Sequence, residues 1–179
     1  MEKSKLLSIM IVDDEMLVRT GISSFLNWNE FGYAITAQAA NGLEALEMIR
    51  ESCPDIILLD IKMPEMDGLE LLRILKREQL PVKVIVLSCH NELEYVKESI
   101  RLGAEDYILK LSLRPENLLA KLSEIRKIIE TEKNENTGPV RESYYNDRDD
   151  LLYGLITGRV EAREAECFSE KAKRLLVLR

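Results

Sequence analysis

The chain has 179 residues, 46% of them hydrophobic, and a formal net charge of −7. That balance argues against a broad nucleic-acid-binding face on these residues, and no apolar run approaches the roughly 18 residues of a membrane span. Three scattered cysteines, Cys53, Cys89 and Cys167, lack metal-ligand spacing and suit reduced thiols in the cytoplasm. The apolar start before Asp13 is too short for a signal peptide. Leu6 to Val12 reads as a buried strand ending on Asp13-Asp14-Glu15. Met16 to Leu26, with Leu17, Ile22, Phe25 and Leu26, suits an amphipathic helix. Asn27 to Gly32 is a loop, and Tyr33 to Ala40 a second strand. Asn41-Gly42 turns the chain into a helix from Leu43 to Arg50, with Leu43, Leu46 and Ile49 on one side.

Ile56 to Leu59 is a short, continuously apolar run after Pro54, which suits a strand buried on both faces. Asp60 follows at its end, and Met63-Pro64 and Asp67-Gly68 make a stiff turn. Gly68 to Glu78 is helical with Leu71, Leu72 and Leu75 inward, and Pro81 stops it. Val82 to Leu87 is a β-branched strand ending on Ser88, and Glu92 to Leu102 a helix with Gly103 as its C-cap. Asp106 to Leu109 is a fifth strand ending on Lys110. Pro115 starts a helix that continues through Leu118, Leu122, Ile125 and Ile129. That stripe suits either a cover for the sheet or a short heptad seam in a homodimer.

Strands alternating with helices predict an α/β fold with a doubly wound parallel sheet. All strand ends of such a sheet lie on one edge, so Asp13, Asp14, Asp60, Ser88 and Lys110 can converge on one pocket. Clustered carboxylates repel and need a cation; hard oxygen donors point to Mg²⁺. With an ammonium and a hydroxyl added, the set suits a tetrahedral dianion such as phosphate, and a carboxylate can itself be the nucleophile. From about Thr131 the composition turns polar, and residues 131–148, with Gly138-Pro139, read as a linker. Residues 149–179 read as a mostly helical extension, the start of a middle or output region. The terminal apolar run Leu175 to Leu178 leads to the expectation that the natural protein continues.

These motifs, in order over about residues 6–130, resemble the receiver domain of two-component response regulators. They are Ile11-Val12-Asp13-Asp14-Glu15, Leu58 to Gly68, Leu87-Ser88 and Asp106 to Lys110. The resemblance implies a five-stranded sheet of order 2-1-3-4-5, flavodoxin- and CheY-like. It implies a signalling protein that catalyses only its own phosphotransfer and dephosphorylation. Asp60 would be the phosphoacceptor for a sensor histidine kinase, with Ser88 and Lys110 on the phosphoryl oxygens. Asp13, Asp14, Asp60 and the backbone carbonyl of Lys62 would hold Mg²⁺, and Ser88 and Tyr107 would form the switch. Trp28 to Tyr33, Leu109 to Leu113 and Leu151 to Gly158 resemble one bacterial subgroup, with a C-terminal AraC-type helix-turn-helix module. No such module lies in these residues, so DNA would be met only through a part outside them.

Two positions depart from the family pattern. Leu111 follows Lys110 where the family has proline with a cis peptide, which leaves a trans bond or stored strain. Cys89 is bulkier than the very small residue usual after the hydroxyl, and is expected to slow access of water or phosphodonor. Plainer readings compete. Asp13-Asp14-Glu15 suits a solvated helix N-terminus, Ser88 a helix cap, and Tyr107 an ordinary strand aromatic. His90 reads as a loop residue. An aspartyl-phosphate hydrolase would need a second acid two places after Asp60, where Lys62 stands. A stand-alone receiver acting only by protein contact is the remaining alternative.

Overall fold

The computed structural model describes residues 6–89 and 93–135. Five strands form one sheet: β1 (Leu7–Val12), β2 (Tyr33–Ala39), β3 (Ile56–Leu59), β4 (Lys83–Ser88) and β5 (Asp106–Leu109). All pair in parallel, in the order β2-β1-β3-β4-β5 expected from the sequence. The connecting helices are α1 (Met16–Ser23), α2 (Gly42–Glu51), α3 (Gly68–Arg77), α4 (Leu93–Arg101) and α5 (Pro115–Glu135).

The period-2 alternation of the strands divides the core into two layers. Met10, Val12, Ile57, Leu59, Val84 and Val86 meet Leu46, Ile49, Leu71, Leu72 and Leu75 of α2 and α3 on one face. Leu7, Ile9, Ile11, Ile56, Leu58, Ile85 and Leu87 meet Ile22 of α1 and Leu118, Leu122 and Ile125 of α5 on the other. All four residues of β3 are fully buried, as a central strand covered on both sides requires. Each such side chain stabilises the fold by roughly 1.5–3 kcal/mol.

Several elements differ from their sequence reading. α1 stops at Ser23 rather than Leu26, and Leu17 is 81% exposed. Val18 and Ile22, four apart, take the inward line instead, one residue step round the helix from Leu17. Leu43 is also exposed, and Ala45 shares the inward face of α2 with Leu46 and Ile49. The loop after α1 contains one 3₁₀ turn, Trp28–Phe31, whose buried indole donates to the Ser23 carbonyl at 3.0 Å. α3 ends at Arg77, and Gln79 at φ 50° reverses the chain before Pro81 is reached. Gly103, at φ 102°, closes α4 as expected, with the Ala104 amide donating back to the Ser99 carbonyl.

The stripe on α5 packs against the sheet: Leu118 and Leu122 are 0% exposed, Ile125 3% and Ile129 6%. It therefore covers the core and presents no seam to a second copy. α5 also runs on through Glu135, past the point where a linker was expected to begin. Its polar last turn is fastened to the sheet by Lys133, whose ammonium lies 3.1 Å from Asp55. The rest of that linker, the 149–179 extension and His90 lie outside the described residues. β1 and β2 slip register after Ile9, which pairs with Ile35, whereas Met10 pairs with Ala37. Thr36 is the extra residue of this bulge, and its hydroxyl donates to the Ile9 carbonyl at 3.4 Å. Among the described residues no helix is long and apolar enough to cross a membrane.

Candidate functional site

The site grows from the sheet ladder running one residue past the strand ends. The Asp13 amide donates to the Ala39 carbonyl at 3.1 Å, and the Asp60 amide to the Val12 carbonyl at 2.8 Å. These bonds set Asp13 and Asp60 side by side beyond adjacent strands. Lys110, beyond β5, reaches both: its Nζ lies 2.6 Å from Asp13 Oδ2 and 2.8 Å from Asp60 Oδ2. Asp13 is 1% exposed, Asp60 6% and Ser88 0%. Ser88 ends β4 and pairs in register with Leu109, next to Lys110.

The loop after Asp60 is held at several points. The Ile61 amide donates to Asp60 Oδ1 at 2.7 Å, and the Gly68 amide to the Ile61 carbonyl at 2.8 Å. A Cβ on Gly68 would collide with the Asp60 carbonyl oxygen and come within 3.0 Å of Ile61 Cα, so only glycine lets α3 start this close. Gly42, opening α2, donates to the Met66 carbonyl at 3.0 Å, and Asp67 caps α3 through the Glu70 amide at 2.7 Å. The stiffness expected of Met63-Pro64 and Asp67-Gly68 thus has a counterpart in four hydrogen bonds.

Burial pushes the Asp60 carboxyl upward, and the neighbouring Asp13 charge adds to this; Lys110 opposes both without cancelling them. Burial works against the Lys110 ammonium, but bonds to Asp13 and Asp60 more than reverse this and raise its pKa. One cation between two buried carboxylates accounts for both directions. Carboxylate oxygens of Asp13, Asp14 and Glu15 lie within 4.8 Å of one another, Asp13 buried and the other two exposed. Asp60 stands beside this group through its shared contact with Lys110. Hard oxygen donors of this kind fit Mg²⁺ better than a softer metal.

The remaining expected residues stand around the pocket. Tyr107 is half-buried beside Val86 of β4 and packs, with Tyr95 of α4, against the α2–α3 side of the core. The Lys62 side chain is exposed, and its ammonium lies 5.3 Å from the Tyr95 ring centroid. Cys89 is exposed. No cis peptide occurs among the described residues, so the Lys110–Leu111 bond is trans, and it opens a 3₁₀ turn, Lys110–Ser112, that the sequence did not signal. Leu111 is 91% exposed. Glu15 and Arg19 were not read as site residues. Glu15 completes the acidic group, and Arg19 donates to the Asp13 carbonyl at 2.6 Å and the Asp14 carbonyl at 3.3 Å. An arginine on the first turns of a half-buried helix carries no sequence signal of such a bond.

The class defined here is a doubly wound α/β protein with a buried acid–lysine site at the carboxyl edge of its sheet. The chain belongs to the response regulator receiver domain family, whose model matches residues 9–123. Those residues are the receiver domain of a two-component response regulator. The chain is 32% identical over 180 residues to the uncharacterized transcriptional regulatory protein YesN of Bacillus subtilis, covering 96% of this chain and 48% of that one. This chain thus spans about half the length of that relative. The receiver domain of AraT, a response regulator from Geobacillus stearothermophilus, is 36% identical, with a TM-score of 0.64 over 72% of this chain and 98% of that one. A chain of the CheX–CheY–BeF₃–Mg²⁺ complex from Borrelia burgdorferi is 28% identical, with a TM-score of 0.59 over 66% of this chain and 88% of that one.

Proposed function

We propose that this receiver accepts a phosphoryl group on Asp60 from a histidine kinase and so controls a transcriptional output. The observation that carries the reading is the meeting of Lys110 with both Asp13 and Asp60 in one buried pocket, at 2.6 and 2.8 Å. An Asp60 carboxylate oxygen attacks the phosphorus of the kinase phosphohistidine. The O–P bond forms as the N–P bond breaks, and the bonding pair leaves with the imidazole. Lys110 stabilises the charge on the transferring group from a fixed position. Ser88 donates its hydroxyl to a phosphoryl oxygen, and Tyr107 moves in response.

Asp13, Asp14, Asp60 and the Lys62 backbone carbonyl would hold Mg²⁺, which supplies positive charge beside the phosphoryl oxygens when bound. The Borrelia burgdorferi complex, which contains BeF₃ and Mg²⁺, supports this part of the reading. Met16 and Leu17, at the start of α1, and Leu111, after Lys110, are exposed apolar side chains close in sequence to the acids and the lysine. They suit contact with a kinase. The YesN likeness supports a transcriptional output for the parent protein. That this output runs through an AraC-type module outside these residues rests on the resemblance of residues 28–33, 109–113 and 151–158 alone. The receiver itself would work in the cytoplasm.

The test is intact-mass analysis after incubation with acetyl phosphate and Mg²⁺. Wild type should gain one phosphoryl mass and Asp60→Asn none. An equal adduct on Asp60→Asn would remove Asp60 as the acceptor.

A further inference from the structure

We infer that Arg19 is a positioning residue for the acids at the end of β1: it holds the Asp13 and Asp14 backbone so that their carboxylates face the pocket. The inference rests on the reading of that pocket as a Mg²⁺-assisted phosphoacceptor site. Helix α1 begins without a side-chain cap, because Glu15 at its N-cap position makes no such bond. Its own hydrogen bonds start with the Val18 and Arg19 amides on the Glu15 carbonyl, at 3.0 and 3.1 Å. The Asp13 and Asp14 carbonyls therefore fall outside the helical ladder. Arg19 supplies their partner, with Nη1 at 2.6 Å from one and 3.3 Å from the other.

The choice of partner matters. Three carboxylates gather within 4.8 Å of one another next to this side chain, and simple attraction would draw the guanidinium onto one of them. Its bonds instead go to main-chain oxygens. Asp13 is then fixed at every polar group: its amide on Ala39, its carbonyl on Arg19, Oδ1 on the Glu15 amide at 3.0 Å and Oδ2 on Lys110. Asp14 has its peptide plane set from the same guanidinium, and its carboxylate stays exposed. A group that orients the residues holding a metal acts on affinity without touching the ion.

Charge and position give opposite signs. Removing a cation beside a Mg²⁺ site tightens binding if Arg19 acts by charge alone. If it acts by position, binding weakens. The experiment is a Mg²⁺ titration of the full chain by calorimetry, on wild type and Arg19→Met, which keeps the packing of the stem and removes the donors. The expected result is roughly ten-fold weaker binding, as for other groups that orient metal ligands. Equal or tighter binding overturns the assignment. Arg19→Lys keeps the charge and decides in the same way should Arg19→Met not fold: weaker binding supports position, and unchanged binding overturns it.

Amide exchange in metal-free protein separates this claim from the metal reading. No binding by wild type would remove Mg²⁺ from the site but leave Arg19 testable. Faster exchange of the Asp13 and Glu15 amides, which are bonded to the Ala39 carbonyl and to Asp13 Oδ1, in the variant than in wild type supports the anchor; equal exchange overturns it.

Discussion

The two edges of the sheet hold similar residues in opposite regimes. At the amino edge, Asp55 before β3 accepts from the Ser8 amide and hydroxyl at 2.9 and 2.8 Å and pairs with Lys133. Lys83 lies 2.6 Å from Glu132 and 3.4 Å from Glu105. The groups alternate in sign and are partly wet, with 22% exposure at Asp55 and 57% at Lys133. At the carboxyl edge, Asp13 and Asp60 share one ammonium at under a tenth exposure, and Asp14 and Glu15 add more negative charge. The consequences are opposite. Burial tends to raise the Asp55 carboxyl, but Ser8 and Lys133 bring it below its ordinary value, whereas Asp60 is held above. A balanced, half-exposed cluster fastens elements together. A buried, unbalanced one costs stability and gains from a cationic ligand or a charge-changing reaction.

Four perturbations test that contrast, from the largest expected effect to the smallest. Gly68→Ala drives a methyl group into the Asp60 backbone and should cost about 1–3 kcal/mol, read from denaturant unfolding. A loss below about 0.5 kcal/mol, the level of an ordinary surface change, would show that the loop yields freely. Mg²⁺ at ten times its dissociation constant should stabilise wild type by about 1.4 kcal/mol. Asp14→Ala should lose most of that gain and Asp55→Asn should keep it; the reverse pattern would place the ion at the wrong edge.

The third concerns pH. Because the folded Asp55 carboxyl titrates below its unfolded value, its stabilisation is present above the unfolded pKa and is lost as pH falls through the folded one. Asp55→Asn should therefore cost roughly 1 kcal/mol near neutral pH and less in acid, where wild type has also lost the ionised form. A pH-independent difference between the two proteins, in unfolding curves from neutral pH to below pH 3, would contradict the linkage. Lys133→Ala removes a largely exposed partner of the same aspartate. It should change stability by under about 0.5 kcal/mol, with a thermal melt as the measure.

How much of this was legible in the chain follows the same physics. β3 and Asp60 could be read directly, because a strand covered on both faces must be apolar throughout and its polar end then stands out. The order of the sheet came with the family resemblance, and the register bears it out. α1 and α2 were harder. Leu17 and Leu43 are apolar yet exposed, and a helix pattern alone does not say which flank meets the sheet. The α5 stripe had two physical uses at the same spacing, and only burial decides between them. Its far end was hidden for another reason: polar residues continue a helix as well as they end one when they face water. Convergence of Asp13, Asp60 and Lys110 followed from the rule about strand ends. Arg19 did not, since its bonds are to main-chain oxygens that every residue carries.

The slip in register between β1 and β2 has a consequence for how copies of this protein meet one another at high concentration. β2 is an outer strand, and an unpaired outer strand offers its free amides and carbonyls to any extended segment that comes near. The extra residue, Thr36, turns its hydroxyl back to the Ile9 carbonyl and breaks the even spacing a newcomer would have to match. Growth by sheet extension along that side is thereby disfavoured.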